Sequence, residues 1–237
     1  LDRRVFGAGA ILGTTYGTQP YGAGITSITV DHLLHHTGGG WSNVDDDPML
    51  TNLSMSIDQL ISWTLDNRPL VSTPGSAYTY SNFGYAVLGR VIERVTGTSY
   101  GSAVKTLVLD PAGITDMAIG GNTLADRQAD EVMYYGQSGQ NPYGMNVSRM
   151  DSHGGWIASA ASLANLLVRV DGWGGKPDIL SSATLDLMTA GSSANAGYAA
   201  GWSIDRVTRR NWWHGGSLPG TGTEIARTTS SGNYNFV

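Results

Sequence analysis

The chain has 237 residues, of which 14% are charged, and its formal net charge is −5. That length suits one domain with a sizeable core, and the few cationic residues exclude the basic stripe that a nucleic-acid partner requires. Cysteine is absent, which excludes disulfides, a thiolate nucleophile and a cysteine-ligated metal site.

The two ends of the chain predict a single domain, residues 1–237, that is cut at both ends. Six glycines fall within the first 24 residues, and Tyr234–Val237 begins an apolar strand at the last residues. No stretch approaches the roughly 20 apolar residues of a membrane span, so we expect a soluble protein. The many glycines slightly favour export but leave the compartment open.

A short helix is predicted from Thr29 to Gly38, with Thr29 or Asp31 as its N-cap. It carries three histidines, which raise the alternative of a metal site. No H-E-x-x-H pattern or carboxylate partner accompanies them, so we expect neither a metal nor a cofactor.

The next predicted elements are an acidic loop and a second helix. The run Asp45–Pro48 lacks the alternating ligands of a calcium loop and is interpreted as solvated. The helix spans Ile57 to Leu65, and Ser56 is its predicted cap.

The stretch from Thr73 to Gly97 reads TPGSAYTYSNFGYAVLGRVIERVTG. Pro74-Gly75 predicts a turn, and apolar residues at helical spacing predict an amphipathic helix from Asn82 that Gly97 closes. Tyr80-Ser81-Asn82 therefore lies at a helix entrance, where side chains can be held over a cleft. The structural alternative is that Ser81 or Asn82 only caps the helix and Tyr80 only packs its ring.

A further helix is predicted from Ser99 to Leu109. Within it, Ser102 and Lys105 form an S-x-x-K pattern, the nucleophile motif of penicillin-interactive serine enzymes. A pattern with two fixed positions arises often by chance, so we interpret these residues as part of an ordinary surface helix.

The remaining elements alternate loop, helix and strand. Residues 115–144 are interpreted as loop with short strands near Met133–Tyr135. Helices are predicted at 160–170, with Ser159 as the cap, and at 181–188. From Gly197 an antiparallel meander is predicted, with strands at 198–204, 212–214 and 223–228.

Five segments together resemble the serine β-lactamase-like superfamily, which includes class C β-lactamases, D-aminopeptidase and DD-peptidase relatives, and family VIII carboxylesterases. They are ITVDHLLHHTGG, PGSAYTYSNFGYAVLGRVIERVTGTSY, LDPAGITDM, HGGWIASAASLANLL and WWHGGSLPG. The resemblance implies an α/β (α+β) fold in which helices flank an antiparallel sheet beside a helical lobe. It also implies that the sheet is incomplete in this chain.

The resemblance assigns roles to two short motifs. Tyr80 and Asn82 match the family's Y-x-N element, in which the tyrosine is the general base or proton relay and the asparagine bonds the substrate. His214 matches the start of the third box, K-T-G in lactamases and commonly H-x-G in esterases and peptidases, and would orient or stabilise. Gly215 and Gly216 continue that box, and the backbone N–H of Ser217 would supply half of an oxyanion hole.

The family's S-x-x-K serine lies upstream of Y-x-N, and this chain does not carry it there. The resemblance therefore implies a serine hydrolase, an esterase, amidase or peptidase acting on a small ester or amide, whose nucleophile segment is absent from these residues. The alternative is a non-catalytic relative that binds a ligand or acts as an interaction module. Unpaired sheet edges also predict association with another chain, including one that carries the missing segment.

His214 in place of lysine argues against an efficient β-lactamase, because a fixed ammonium suits a penicillin carboxylate better than a neutral imidazole does. An esterase or peptidase-like activity is favoured. Four tryptophans are candidates either for an apolar acyl pocket or for the core: Trp41, Trp156, Trp212 and Trp213.

Overall fold

The computed structural model describes residues 1–208, 210–229 and 232–237. They form two compact units. Unit 1 comprises Leu1–Ala103, Arg149–Gly155 and Ser193–Asn195, and unit 2 comprises Val104–Ser148, Trp156–Ser192 and Ala196–Val237.

Unit 1 is built on three helices. They are Val30–Leu34 (α1), Ile57–Asn67 (α2) and Asn82–Thr96 (α3). Thr29 and Ser56 each form a capping box at the start of the first two helices, as their sequences predict. Gly97 ends α3 with φ 71°, in the left-handed region that glycine enters without steric cost.

The core of unit 1 lies between these helices and the N-terminal segment. Phe6, Leu33, Ile61, Phe83 and Val87 are among its fully buried members. Because the apolar face of α3 is central to this cluster, the start of that helix is anchored by packing as well as by its cap.

The helix predicted from Ser99 to Leu109 is longer and less regular than expected. The chain forms Tyr100–Val104 (α4), in which it passes from unit 1 to unit 2, then a π-helical turn at Lys105–Leu109 and a last turn at Asp110–Ala112 (α5). Pro111 does not stop the helix, since proline is tolerated in the first turn of a helical segment. Gly113 ends it at φ 72°.

The described residues of unit 2 form two antiparallel sheets. The smaller sheet pairs Ala118–Ile119 (β1) with Trp156–Ile157 (β2). The larger sheet has the strand order β3-β4-β5-β6, with β3 Ser203–Ile204, β4 Trp212–Leu218, β5 Thr221–Thr228 and β6 Tyr234–Phe236. The predicted antiparallel meander is confirmed.

Helices cover this sheet from within unit 2. They are Ala160–Val168 (α6), capped by Ser159, and Ser182–Met188 (α7), capped by Ser181. Leu167 of α6 packs with Ile204 and Trp212 of the sheet in one buried cluster. The combination of helices and antiparallel sheets agrees with the predicted fold class.

The strand predicted near residues 133–135 is wrong, and the strand predicted at 198–204 is confirmed only for Ser203–Ile204. Residues 133–135 are not in a strand, and Tyr198 forms only an isolated bridge with Ser203 before the short β3. Apolar and aromatic residues made both segments look like strands, but Gly201 has φ 84° and folds the second one back on itself. Among the described residues, no helix is both long and apolar enough to cross a bilayer.

Candidate functional site

The motif Tyr80-Ser81-Asn82 lies at the entrance of α3, as predicted. Ser81, not Asn82, is the N-cap: its Oγ accepts the backbone N–H of Gly84 at 3.0 Å, and its side chain is buried. The hydroxyl satisfies a backbone donor that the first turn leaves without a helical partner. Asn82 is thereby released from the capping role and is half-buried.

His36 lies against the ring of Tyr80. The two ring centroids are 4.1 Å apart, and His36 Nδ1 accepts the backbone N–H of Ser81 at 3.1 Å. The backbone carbonyl of His36 accepts the N–H of Thr79 at 2.7 Å. Because His36 is buried and bonded to the chain on both sides of Tyr80, it fixes where that ring lies.

Asn82 is held by the loop of residues 43–55. Its backbone N–H donates to Asn43 Oδ1 at 2.7 Å, and its side-chain Nδ2 donates to Asp47 Oδ2 at 3.0 Å. The backbone N–H of Asn43 in turn donates to the carbonyl of Tyr80 at 3.0 Å. The loop therefore bonds both candidate residues of the motif, Tyr80 and Asn82.

Arg149 holds that loop in place through hydrogen bonds to its backbone. Its guanidinium is buried and donates to four backbone carbonyls, those of Met49, Thr51, Asn52 and Met55, at 2.8 to 3.0 Å. A planar guanidinium carries five donors in a rigid fork, so one side chain can hold several carbonyls at once. The loop that carries Asp47 is consequently a fixed part of unit 1.

The interpretation of the acidic run as a solvated loop is wrong for Asp47. Asp45 and Asp46 are exposed, whereas Asp47 is only 5% exposed and caps a 3-10 turn at Pro48–Leu50 through the N–H of Met49. The Asp-Pro pair was the available signal, because aspartate before proline favours turn initiation with a side-chain cap.

The electrostatic environment keeps Tyr80 a neutral phenol. Burial raises its pKa above the ordinary value of 10, and the negative charge of Asp47 raises it further. Burial raises the pKa of Asp47 as well, while hydrogen bonds from Met49 and Asn82 and the charge of Arg149 oppose that rise. Within unit 1, Tyr80 can therefore pass a proton along a hydrogen bond but is not poised as a phenolate base.

His214 lies on β4 of unit 2, in a different unit from Tyr80 and Asn82. Its Nε2 is 3.2 Å from the hydroxyl of Tyr198, a buried residue that sequence reasoning had assigned only to a strand. Burial lowers the pKa of His214, although its Nδ1 contact with the carbonyl of Gly215 opposes the effect. The imidazole is therefore biased toward its neutral form.

The residues after His214 form the exposed end of β4. Gly215, Gly216 and Ser217 pair with Glu224, Thr223 and Gly222 of β5, respectively. On the other side of β4, the pairing with β3 extends only over Trp212 and Trp213. The segment from His214 to Ser217 therefore extends past the end of β3. Its edge on that side is not paired with β3.

The S-x-x-K pattern at Ser102 lies on an exposed helical surface, in α4 and the π-helical turn that follows it. Ser102 is exposed and its Oγ accepts a hydrogen bond from Ser99 Oγ at 2.9 Å. Lys105 is exposed and forms an ion pair with Asp110 at 2.5 Å. These partners agree with the interpretation that the pattern arose by chance.

The helix predicted from Thr29 to Gly38 ends at Leu34, so only His32 of the three histidines lies within α1, and the three have separate structural roles. His32 Nδ1 closes the capping box with Thr29, and His35 Nδ1 is 3.2 Å from an oxygen of Asp31. No group of three or more metal-ligating side chains occurs in the described part of the chain.

Two of the candidate tryptophans belong to the core. Trp41 packs edge-on against Phe83 and donates its indole N–H to the carbonyl of Arg68. Trp212 is buried against Trp202.

Comparison with known proteins places this fold and these motifs in a family. Residues 1–232 match the family model described as Beta-lactamase. The chain belongs to the beta-lactamase family. The resemblance that the sequence motifs indicated is thereby confirmed.

Curated relatives of this beta-lactamase-family chain include penicillin-binding proteins and peptidases. Penicillin-binding protein 4* of Bacillus subtilis (strain 168) is 31% identical over 114 residues, which cover 45% of this chain and 24% of that protein. A putative D-alanyl-D-alanine carboxypeptidase of Escherichia coli (strain K12) is 24% identical over 211 residues, covering 77% of this chain and 48% of that protein. The chain thus spans about half or less of the length of these two relatives.

Solved structures share the fold of the beta-lactamase-family chain. A D-stereospecific amidohydrolase from Streptomyces sp. has a TM-score of 0.72 at 22% identity, covering 95% of this chain and 72% of that one. D-amino acid amidase from Ochrobactrum anthropi SV3 has a TM-score of 0.69 at 19% identity, covering 91% and 72%. At these identities the likeness concerns the fold.

Proposed function

We propose that this chain is part of a serine hydrolase that cleaves an amide or ester bond through an acyl-enzyme, with Tyr80, Asn82 and His214 in its active centre. The observation that carries the proposal is the fixed Tyr-x-Asn motif. Ser81 caps α3, while His36, Asn43 and Asp47 hold Tyr80 and Asn82. A purely structural cap would need Ser81 alone.

The reaction that we propose has two steps. A serine Oγ attacks the substrate carbonyl, the C–N or C–O bond breaks, and the amine or alcohol leaves with the serine's proton; water then hydrolyses the serine ester. The only S-x-x-K in the 237 residues is at Ser102, on an exposed part of α4. We therefore propose that the nucleophile and its lysine come from outside these residues.

Tyr80 would act as the proton relay of this reaction. A neutral phenol can accept the serine proton and donate its own in one transfer, and a nearby ammonium would stabilise the phenolate character that develops. In unit 1 the negative charge of Asp47 has the opposite effect, because it raises the pKa of Tyr80. The lysine is thus needed to activate Tyr80.

The neutral bias of His214 supports an amidase, peptidase or esterase over an efficient β-lactamase. An imidazole can donate or accept one hydrogen bond at a substrate oxygen or nitrogen without supplying a fixed positive charge for a carboxylate. Fold neighbours that act on D-configured amides lead us to propose the amide of a D-amino acid or D-terminal peptide as the substrate class.

A substrate panel tests the proposal on the complete polypeptide that contains these residues. We expect hydrolysis of D-phenylalanine amide faster than of its L-isomer, measurable cleavage of p-nitrophenyl esters, and little turnover of a chromogenic cephalosporin. Absence of turnover across amides, esters and β-lactams would reject the hydrolase assignment.

The second candidate is a non-catalytic relative that uses the same residues to bind a ligand. It is motivated by the surface character of Ser102 and Lys105 in the described chain. The two candidates are separated by a covalent serine adduct, which only a hydrolase forms. If Tyr80→Phe and His214→Ala changed neither activity nor ligand affinity, only a structural role would remain.

A further inference from the structure

Asp47 accepts a hydrogen bond from the amino end of the Asn82 carboxamide. Asp47 Oδ2 accepts from Asn82 Nδ2 at 3.0 Å, and Asp47 Oδ1 accepts from the N–H of Met49 at 2.8 Å. An ionised carboxylate has only acceptors, so it can bond the amino end of a carboxamide and repels the carbonyl end. The carboxylate thus selects one of the two orientations of the Asn82 amide.

Both oxygens of Asp47 accept a hydrogen bond, as those of an ionised carboxylate do. Burial raises the pKa of the carboxyl above its ordinary value and Asp46 adds to the rise, whereas the donors from Met49 and Asn82 and the charge of Arg149 oppose it. The charge of Asp47 also acts on the hydroxyl of Tyr80, whose pKa it raises. The loop cannot easily rotate Asp47 away, because Arg149 binds four of its carbonyls.

We infer that Asp47 is a positioning residue that fixes the Asn82 carboxamide with Nδ2 toward the protein, so that Asn82 offers its carbonyl oxygen to an N–H donor of the ligand. The inference rests on the proposed function for its catalytic consequence, but the orientation itself does not. It gives the half-buried Asn82 a preference for ligands with an amide N–H or an ammonium. A simple ester, which has no such donor, would forgo this interaction.

The matched pair Asp47→Asn and Asp45→Asn tests the inference in the complete polypeptide. Met49 and Asn82 donate to different oxygens of Asp47, and asparagine at position 47 replaces one of these oxygens by an amino group that cannot accept the bond. Asp45 is exposed and two residues away, and its replacement removes the same charge. We expect Asp47→Asn to lower kcat/KM for an amide substrate by about tenfold or more, the loss of roughly one charge-assisted hydrogen bond, and Asp45→Asn to leave it within about twofold.

A spectroscopic readout separates positioning from general damage. With 15N-labelled asparagine, Asp47→Asn should move the Asn82 side-chain signal and increase its solvent exchange, while other asparagines keep their signals. The amide-over-ester preference of kcat/KM should also shrink in this variant but not in Asp45→Asn. An Asn82 signal that is unchanged by Asp47→Asn would overturn the inference, whether or not hydrolysis is found.

The wild-type protein provides a test that needs no variant to fold. The Asn82 Nδ2 signal should follow the ionisation of Asp47, read from its carboxyl carbon, with the same midpoint. Independent titration would contradict the inference. If the signals behave as expected but the protein hydrolyses nothing, Asp47 positions Asn82 and the proposed function fails.

Discussion

The imidazole of His36 lies 4.1 Å from the ring of Tyr80, centroid to centroid, and its Nδ1 accepts the N–H of Ser81. One buried side chain therefore touches the candidate proton relay and bonds the backbone of the residue that caps α3. The consequence is that Tyr80 is oriented by groups that do not depend on a bound ligand.

Replacing Tyr80 by phenylalanine tests its role as proton relay. The ring contact with His36 is retained, so we expect the free energy of unfolding to change by less than about 1 kcal/mol. Loss of the hydroxyl should lower kcat by about 100-fold or more, the usual contribution of a positioned proton-transfer group. Tyr78→Phe, which removes a hydroxyl from another ring in contact with His36, is the control and should keep near-normal turnover.

The His36→Phe variant separates the ring of His36 from its hydrogen bond. A phenyl ring fills similar space but leaves the buried N–H of Ser81 without its acceptor. We expect a loss of about 1–3 kcal/mol in unfolding free energy, the cost of a buried unsatisfied donor. Chemical denaturation measures it, and stability equal to wild type would show that the hydrogen bond contributes nothing.

A buried ion pair joins α3 to residues 149–155 within unit 1. Arg90, whose side chain is 6% exposed, contacts Asp151 at 2.5 Å and Glu93 at 2.9 Å. Arg90→Met would leave the carboxylates of Asp151 and Glu93 without their cationic partner. We expect it to lower the free energy of unfolding by about 3–5 kcal/mol, as removal of one partner of a buried pair does. Arg94→Met, one turn away on an exposed part of the same helix, should cost less than about 1 kcal/mol. Equal losses would show that burial of the pair does not set its contribution.

His153 should make the fold sensitive to acid. Burial lowers its pKa to about 4 from 6.5, and the positive charge of Arg149 adds to the effect. The unfolded chain therefore binds a proton more readily than the folded one, so stability is retained above pH 6.5 and falls as the pH drops from 6.5 to 4. The loss is at most about 3 kcal/mol.

Thermal melts across that pH range, on wild type and His153→Gln, measure this contribution. The variant should show a shallower loss of Tm on acidification, because it has no imidazole to protonate. If both proteins lose stability with the same slope, His153 is not the responsible group.

Local sequence rules predicted the frame of this molecule well. Ser56 and Ser159 cap the starts of their helices and Gly97 ends α3, as their chemistry favours, and the C-terminal strands pair as an antiparallel meander. These features depend on a residue and its near neighbours, so one sequence is enough to find them.

The supports of the candidate site could not be predicted in this way. Asp47 precedes Asn82 by 35 residues and Arg149 follows Thr51 by 98, so their contacts arise from tertiary packing. The Asp-Pro pair indicates a cap at Asp47, but nothing in the neighbouring sequence indicates that the side chains of Asp47 and Arg149 are buried. The motif was visible in the sequence, whereas the groups that orient it were visible only in the structure.

Covalent labelling of the complete polypeptide by a fluorophosphonate tests the central claim most directly. Intact-mass and peptide analysis should find one serine adduct, formed at least about 100-fold more slowly in Tyr80→Phe and at the normal rate in Tyr78→Phe. No serine adduct on the wild-type protein, or labelling of Tyr80→Phe at the wild-type rate, would contradict the assignment of Tyr80 to a serine-hydrolase active centre.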